Sequence, residues 1–283
     1  MDKIRQKLKM YAHHPASFLL ALLVWISAIF TAVTLIFIVG YILIKGVPHL
    51  TPQLFELEYN SENVSMFPAI INTIFMIMLS LLVAGPLGIF AAVYLVEYAK
   101  KGNKLMSVVR VTAETLTGIP SIVYGLFGML FFVTTLRWGY SMLAGAFTLA
   151  IMVLPVIMRT TEEALLAVPD TYREGSFGLG AGKLRTIFVV ILPSAVPGIF
   201  SGVILSIGRI VGETAALMYT AGTVAELPDS VMSSTRTLSV HMYSLASEGL
   251  YVNQAYATAV VLLVIVLVIN WLSGRIARKI KKG

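Results

Sequence analysis

Apolar residues fall into six long runs, at about 17–44, 68–96, 115–136, 140–158, 193–222 and 254–273, and the short segments between them hold nearly all the charge. An α-helix needs roughly 20 apolar residues to cross about 30 Å of hydrocarbon at 1.5 Å per residue, and each run is close to that length or longer. The pattern predicts an all-α integral membrane protein with six transmembrane helices. It divides the chain into a basic N-terminus at 1–16, a first transmembrane helix at 17–44, an external loop at 45–67, a core of five further helices at 68–273 and a basic tail at 274–283. The run opening at Ala16 is about twice as long as the apolar part of a cleavable signal peptide and reads as a retained helix. The third run is the least regular. Arg110 and Glu114 stand at its start and Pro120 interrupts it, which predicts a broken or re-entrant helix.

The basic residues orient this bundle. Cytoplasmic connections accumulate Lys and Arg. With the N-terminus inside, 17 of the 21 fall on the cytoplasmic side, in clusters at 3–9, 100–110, 159–185 and 275–282. Only Lys45, Arg137 and Arg236 fall outside, and Arg209 remains within the membrane. Both termini are therefore expected in the cytoplasm of a bacterial cytoplasmic (inner) membrane protein. Losing or adding one span would move a basic cluster to the wrong side.

Composition agrees and excludes several classes. The chain is 58% apolar and only 12% charged, against roughly 25% charged in soluble domains. The net charge of +7 comes from flanks of membrane segments, where basic residues meet anionic membrane lipid. No basic face recurs on a polar helix, so no nucleic acid partner is expected. The absence of cysteine removes disulfides, thiolate metal sites and thiol nucleophiles. His13, His14, His49 and His241 lack the helical i, i+4 spacing of a zinc site and read as surface or interfacial residues. No catalytic constellation can be assembled.

The cytoplasmic connection at 159–192 is patterned as helix rather than as linker. Pro169 and Asp170 break the chain, and Thr171-Tyr172-Arg173-Glu174 has the spacing of a capping box, in which hydroxyl and carboxylate satisfy free amides reciprocally. A short helix from Thr171 is expected, followed by a reversal at Gly178, Gly180 and Gly182 and a second helical half running into Leu192-Pro193. The glycines do not form a nucleotide loop. Lys183 is followed by Leu184, Phe177 occupies the first glycine position, and no strand precedes them. No cofactor is expected on this chain, and any ATP, with its Mg, must be bound by a partner.

Arg209 and Glu213 in the fifth run carry the strongest chemical signal. An Arg near mid-bilayer costs about 2.5–3.5 kcal/mol on insertion scales. The i, i+4 spacing puts both side chains on one helix face, where Glu213 could neutralise Arg209. One reading is a self-compensating pair that locks helix packing. The other is a guanidinium that faces a polar pathway and takes an oxyanion through its planar donors. Arg159, at the end of the fourth run, is open between the same pathway role and a helix-end residue reaching for headgroups. Gly198 with Gly202, and Gly208 with Gly212, would permit close helix approach.

The stretch Glu174-Gly175-Ser176, three residues, Gly180, nine residues, then Val190-Ile191-Leu192-Pro193 resembles the EAA loop of ABC importer permeases, with Gly175 and Ser176 where that family usually has alanines. The resemblance implies a type I permease fold and a coupling helix that docks into a cleft of an ATPase subunit. LTGIPSIVYG at 116–125, the run from Arg159 through VPDTYRE at 168–174, and Arg209-Ile-Val-Gly212-Glu213-Thr214 resemble the PstA family of phosphate permeases over nearly the whole chain. That likeness implies phosphate as solute, with Arg159 and Arg209 important for its passage. It also implies a second, PstC-like permease subunit, a PstB-like cytoplasmic ATPase dimer and a PstS-like extracytoplasmic phosphate-binding protein. Permeases for sulfate, molybdate or phosphonate, and a passive anion channel, are the alternatives.

Overall fold

The computed structural model describes residues 15–100 and 102–280. The basic N-terminus as far as residue 14, Lys101, and the end of the basic tail at 281–283 lie outside the described residues. The first apolar run is one helix, α1 (Pro15–Gly46). Its most apolar window has no residue buried within the chain. Short 3-10 turns at Val47–His49 and Pro52–Phe55 lead to α2 (Phe67–Val93), which widens into a π-helical turn at Tyr94–Tyr98.

The irregular third run is a broken span. α3 (Lys104–Thr117) and α4 (Ser121–Gly128, extended by a π-helical turn at Met129–Thr135) meet at 103°. Pro120 has no amide to continue α3, which frees carbonyls inside the bundle. The Tyr124 hydroxyl donates to Leu116 O at 2.8 Å, and the Ile119 amide donates to the same oxygen at 3.2 Å. Such local repair is what broken backbone needs at membrane depth. Five continuous helices and this bent pair make up the six predicted spans.

α5 (Met142–Leu166) opens on a Ser141 cap, whose hydroxyl accepts the Ala144 amide at 3.2 Å. Two thirds of its most apolar window is buried, which makes it the central helix, packed against α2 and α8. The helix runs past Arg159 to Leu166, so the predicted connection at 159–192 begins only at Ala167. It contains α6 (Asp170–Gly178) and α7 (Lys183–Thr186), and a π-helical turn at Ile187–Ile191 joins α7 to α8 (Leu192–Gly212).

The fifth run does not extend helically to residue 222. α8 stops at Gly212, Glu213 is extended (ψ 127°), and the chain restarts as α9 (Ala215–Thr220). Small residues admit α9 into the bundle. A Cβ on Gly125 of α4 would lie 2.8 Å from Ala216 Cα, and one on Gly145 of α5 would lie 2.9 Å from Ala221 Cβ. The chain returns through a long connection to α10 (Leu238–Glu248), then ends in α11 (Val252–Ile280).

Of the paired glycines, only one pair makes the predicted close approach. A Cβ on Gly198 would fall 2.5 Å from Ala164 Cβ, and one on Gly202 would collide with the Thr160 hydroxyl. These contacts set the antiparallel register of α8 on α5. Gly208 and Gly212 face open space.

Candidate coupling loop and anion pathway

The basic residues of the second and fourth connections converge at one end of the bundle. Arg110 meets Glu162 at 2.7 Å and Arg159 meets Glu114 at 3.5 Å, so two ion pairs cross between α3 and α5. Arg159 is therefore neither at a helix end nor unpaired. Its partner Glu114 is largely exposed, at 69% of its side chain, which keeps this bridge weak and exchangeable.

At the same end, α6 lies across the termini of the spans. It begins at Asp170 with Pro169 as the preceding cap residue, and no side chain caps it. The capping box predicted on Thr171 and Glu174 is thus not formed, because the cap position falls on Pro169, two residues earlier, and leaves Thr171 inside the first turn. Arg173, seen in the sequence only as one of many basic residues, organises the loop. Its guanidinium reaches Glu97 of α2 at 2.8 Å and Asp170 at 3.1 Å, and donates to Leu165 O at 3.1 Å and Val168 O at 3.0 Å. The Ser176 hydroxyl lies 2.8 Å from that of Thr186, a contact that an alanine at 176 could not make. Lys183 Nζ stands 4.6 Å over the Tyr98 ring.

The reversal after α6 needs one glycine for its backbone. Gly180 has φ +82°, a region costly for any residue with a Cβ. Gly175 faces open space and Glu174 is exposed. Leu179 is 91% exposed, with Tyr172, Phe177 and Leu184 also exposed around it. These apolar side chains leave an exposed hydrophobic surface on a charged, non-spanning loop. Leu192 and Pro193 open α8 directly behind it.

Arg209 and Glu213 are separated rather than paired. The break after Gly212 takes Glu213 off the helix face, and its carboxylate instead accepts the Ala216 amide at 3.0 Å, capping α9. Its carbonyl accepts the Ser239 hydroxyl at 2.6 Å. Arg209 is half-buried in the last turn of α8 and forms no ion pair among the described residues. It lies within electrostatic reach of buried Tyr124, beside the bend of the broken span. Tyr124 stands eleven residues before the end of the helical stretch at Thr135, about 16 Å along the axis, which is near the middle of a bilayer about 30 Å thick. Arg209 is also seven residues past Gly202, and Gly202 packs on Thr160, the neighbour of Arg159. The two arginines thus lie at different depths, about 10 Å apart along α8.

At the opposite end, a buried polar cluster was hidden from sequence reasoning. Arg236 is only 5% exposed and sits 4.7 Å over the Tyr59 ring. His241, expected at a surface, is fully buried on α10 with its ring edge-on to Tyr59. Burial, assisted by the Arg236 charge, lowers its pKa to about 3.

This fold recurs in solved ABC importers. The chain aligns over 96% of its length with 98% of a chain from a bacterial alginate ABC transporter, at a TM-score of 0.71 and 17% identity. A chain from the methionine transporter MetNI aligns at a TM-score of 0.60 and 20% identity, covering 76% of this chain and 94% of that one. The fold is therefore that of a type I ABC importer permease. The chain belongs to the family of binding-protein-dependent transport system inner membrane components, whose pattern matches residues 84–282. It is 33% identical to the probable ABC transporter permease YqgI of Bacillus subtilis, over 90% of this chain and 94% of that protein. It is 31% identical to the phosphate transport system permease PstA of Haemophilus influenzae, over 95% and 96%, and 39% identical to PstA of Pasteurella multocida over 72% of both. It is accordingly a multi-pass membrane subunit that works with a further permease, an ATPase and a binding protein.

Proposed function

We propose that this permease carries inorganic phosphate inward through a path that passes Arg209, with the basic end of the bundle and both termini in the cytoplasm. The observation that carries the reading is a half-buried guanidinium, placed near mid-depth by helix length, with no ion-pair partner among the described residues. A buried cation is costly unless something compensates it. A diffusing oxyanion offers that compensation in a form that can leave again. The PstA relatives support phosphate as that oxyanion.

Arg159 is the second station, about 10 Å nearer the basic end, and gives up Glu114 when the anion arrives. Glu213 acts indirectly, by holding the break that ends α8 and the cap of α9. Phosphate is delivered by a PstS-like binding protein, and a PstC-like permease completes the pathway. A PstB-like ATPase dimer, which binds the ATP and Mg, docks on α6 around Glu174, Gly175 and Leu179. Closure of that dimer moves α6 and switches access from one side to the other.

The test is labelled phosphate uptake by Arg209→Gln in the assembled transporter. Uptake should be abolished while the ATPase still copurifies. Normal uptake by the variant would remove Arg209 from the pathway, and competition of wild-type uptake by sulfate, molybdate or phosphonate at equal concentration would reassign the solute.

A further inference from the structure

We infer that Arg173 and Glu97 form an electrostatic strut that transmits displacement of the coupling helix to two spans at once; this rests on the reading of α6 as the ATPase-docking element. Arg173 is anchored on α6, yet none of its strongest contacts is to α6 itself. Nη2 and Nε reach one Glu97 oxygen at 2.8 and 3.2 Å, and Nη1 and Nη2 donate to Val168 O and Leu165 O at 3.0 and 3.1 Å. The side chains of Arg173 and Glu97 are only 16% and 9% exposed, whereas Asp170, the remaining partner, is 86% exposed.

Each contact has a mechanical meaning. Leu165 is in the last turn of α5, with Val168 just beyond it, so a planar donor fork there caps the central helix. Glu97 belongs to the π-helical turn at Tyr94–Tyr98, a wide turn of the kind that concentrates at functional sites. A five-donor fork can hold a carboxylate and two carbonyls together in one plane, which a lysine ammonium cannot do with the same rigidity. Movement of α6 relative to the spans would break several charge-assisted bonds in a half-buried place, so the spans move with it. On the other flank, Ser176 with Thr186 ties α6 to α7, and Lys183 over the Tyr98 ring ties α7 to the end of α2. The strut thus links α2, α5 and the docking helix.

The experiment uses the complete transporter in proteoliposomes, with the second permease, ATPase and binding protein, and reads labelled phosphate taken up per ATP hydrolysed. Arg173→Gln should assemble and hydrolyse ATP, yet its uptake per ATP should fall about tenfold, within the usual range of coupling between sites. Glu97→Ala should fall similarly, and the double variant no further than either. Arg173→Lys, which keeps the charge, should recover part of the ratio and serves as the probe if Arg173→Gln does not assemble. If yield, hydrolysis and uptake decline in proportion in both variants, Arg173 is a folding residue and the strut is overturned. An unchanged ratio overturns it as well. Leu179→Asp separates the underlying reading: it should release the ATPase, and if the ATPase remains bound, the docking assignment of α6 fails whatever the strut variants do.

Discussion

The crossing of α5 and α8 can be tested by moving one methyl group from one helix to the other. Gly198→Ala places a Cβ 2.5 Å from Ala164 Cβ and 3.4 Å from Ala164 Cα. A methyl forced into a filled contact costs about 1–3 kcal/mol, and the gain of Ala over Gly in a helix returns about 1 kcal/mol. The single variant should therefore be destabilised by about 0–2 kcal/mol. Ala164→Gly loses about 1 kcal/mol of helix preference and some packing at an interface that relies on small residues meeting closely. In the double variant the helix preferences cancel, and the nearest remaining atom, Ala164 Cα at 3.4 Å, is within tolerable contact. It should lie within about 0.5 kcal/mol of the parent, giving a coupling energy of about 1–3 kcal/mol in favour of the pair. Titration of the purified assembly with SDS in mixed micelles, followed by tryptophan fluorescence, measures all four corners of the cycle. Strict additivity would refute the proposed register, because it would mean that residues 164 and 198 do not touch.

Glu213→Ala should lose the cap of α9 and about 0.5–2 kcal/mol of stability, whereas Glu213→Gln keeps an acceptor for the Ala216 amide and should retain stability and near-normal uptake; loss of uptake in the Gln variant alone would restore a direct charge role. Acidification should weaken the end of the bundle that holds His241. Its folded pKa of about 3 lies below the ordinary 6.5, so its contribution is complete above pH 6.5 and falls by about 1.4 kcal/mol per pH unit as pH drops towards 3. The thermal midpoint of wild type should decline between pH 6.5 and 5 more steeply than that of His241→Phe, and parallel curves would refute this assignment.

The spans were legible because a bilayer demands long uncharged helices, and the bend was legible because Pro120 and the nearby charges violate that demand. The end of α8 was not legible. Ala215–Thr220 is short but uninterrupted by charge, so hydropathy merges it with the 21-residue helix before it. That merging produced the false i, i+4 pair, since Arg209 and Glu213 share a face only if the helix continues. The strut was hidden for a different reason. Glu97 and Arg173 are 76 residues apart, and each alone looks like an ordinary charged residue at the edge of a span. The cluster at Arg236 and His241 was hidden likewise: the charge pattern places Arg236 only on the outer side and His241 reads alone as a surface or interfacial residue, although both lie on the return segment that packs against α2, where Leu238 N–H donates to Thr73 Oγ1 at 2.9 Å.

Separating Glu213 from Arg209 changes the energetics of the pathway in a useful direction. A permanent carboxylate partner would compete with every incoming anion, and a guanidinium with no compensation would hold an anion too long. Arg209 instead occupies the last turn of α8, where the C-terminal carbonyls carry partial negative charge. That setting offsets about 0.3–1 kcal/mol of an intramembrane cost of about 2.5–3.5 kcal/mol, leaving roughly 2 kcal/mol for a passing anion to relieve. In the proposed pathway a gain of that size would correspond to about thirtyfold in occupancy, enough to draw phosphate past a low-dielectric stretch and still small enough for it to leave. At the basic end the balance is reversed. Arg110, Arg159 and Arg173 each already hold a carboxylate, and of these three Arg159, bridged at 3.5 Å to an exposed Glu114, is the one that the proposed pathway would let change partner most readily.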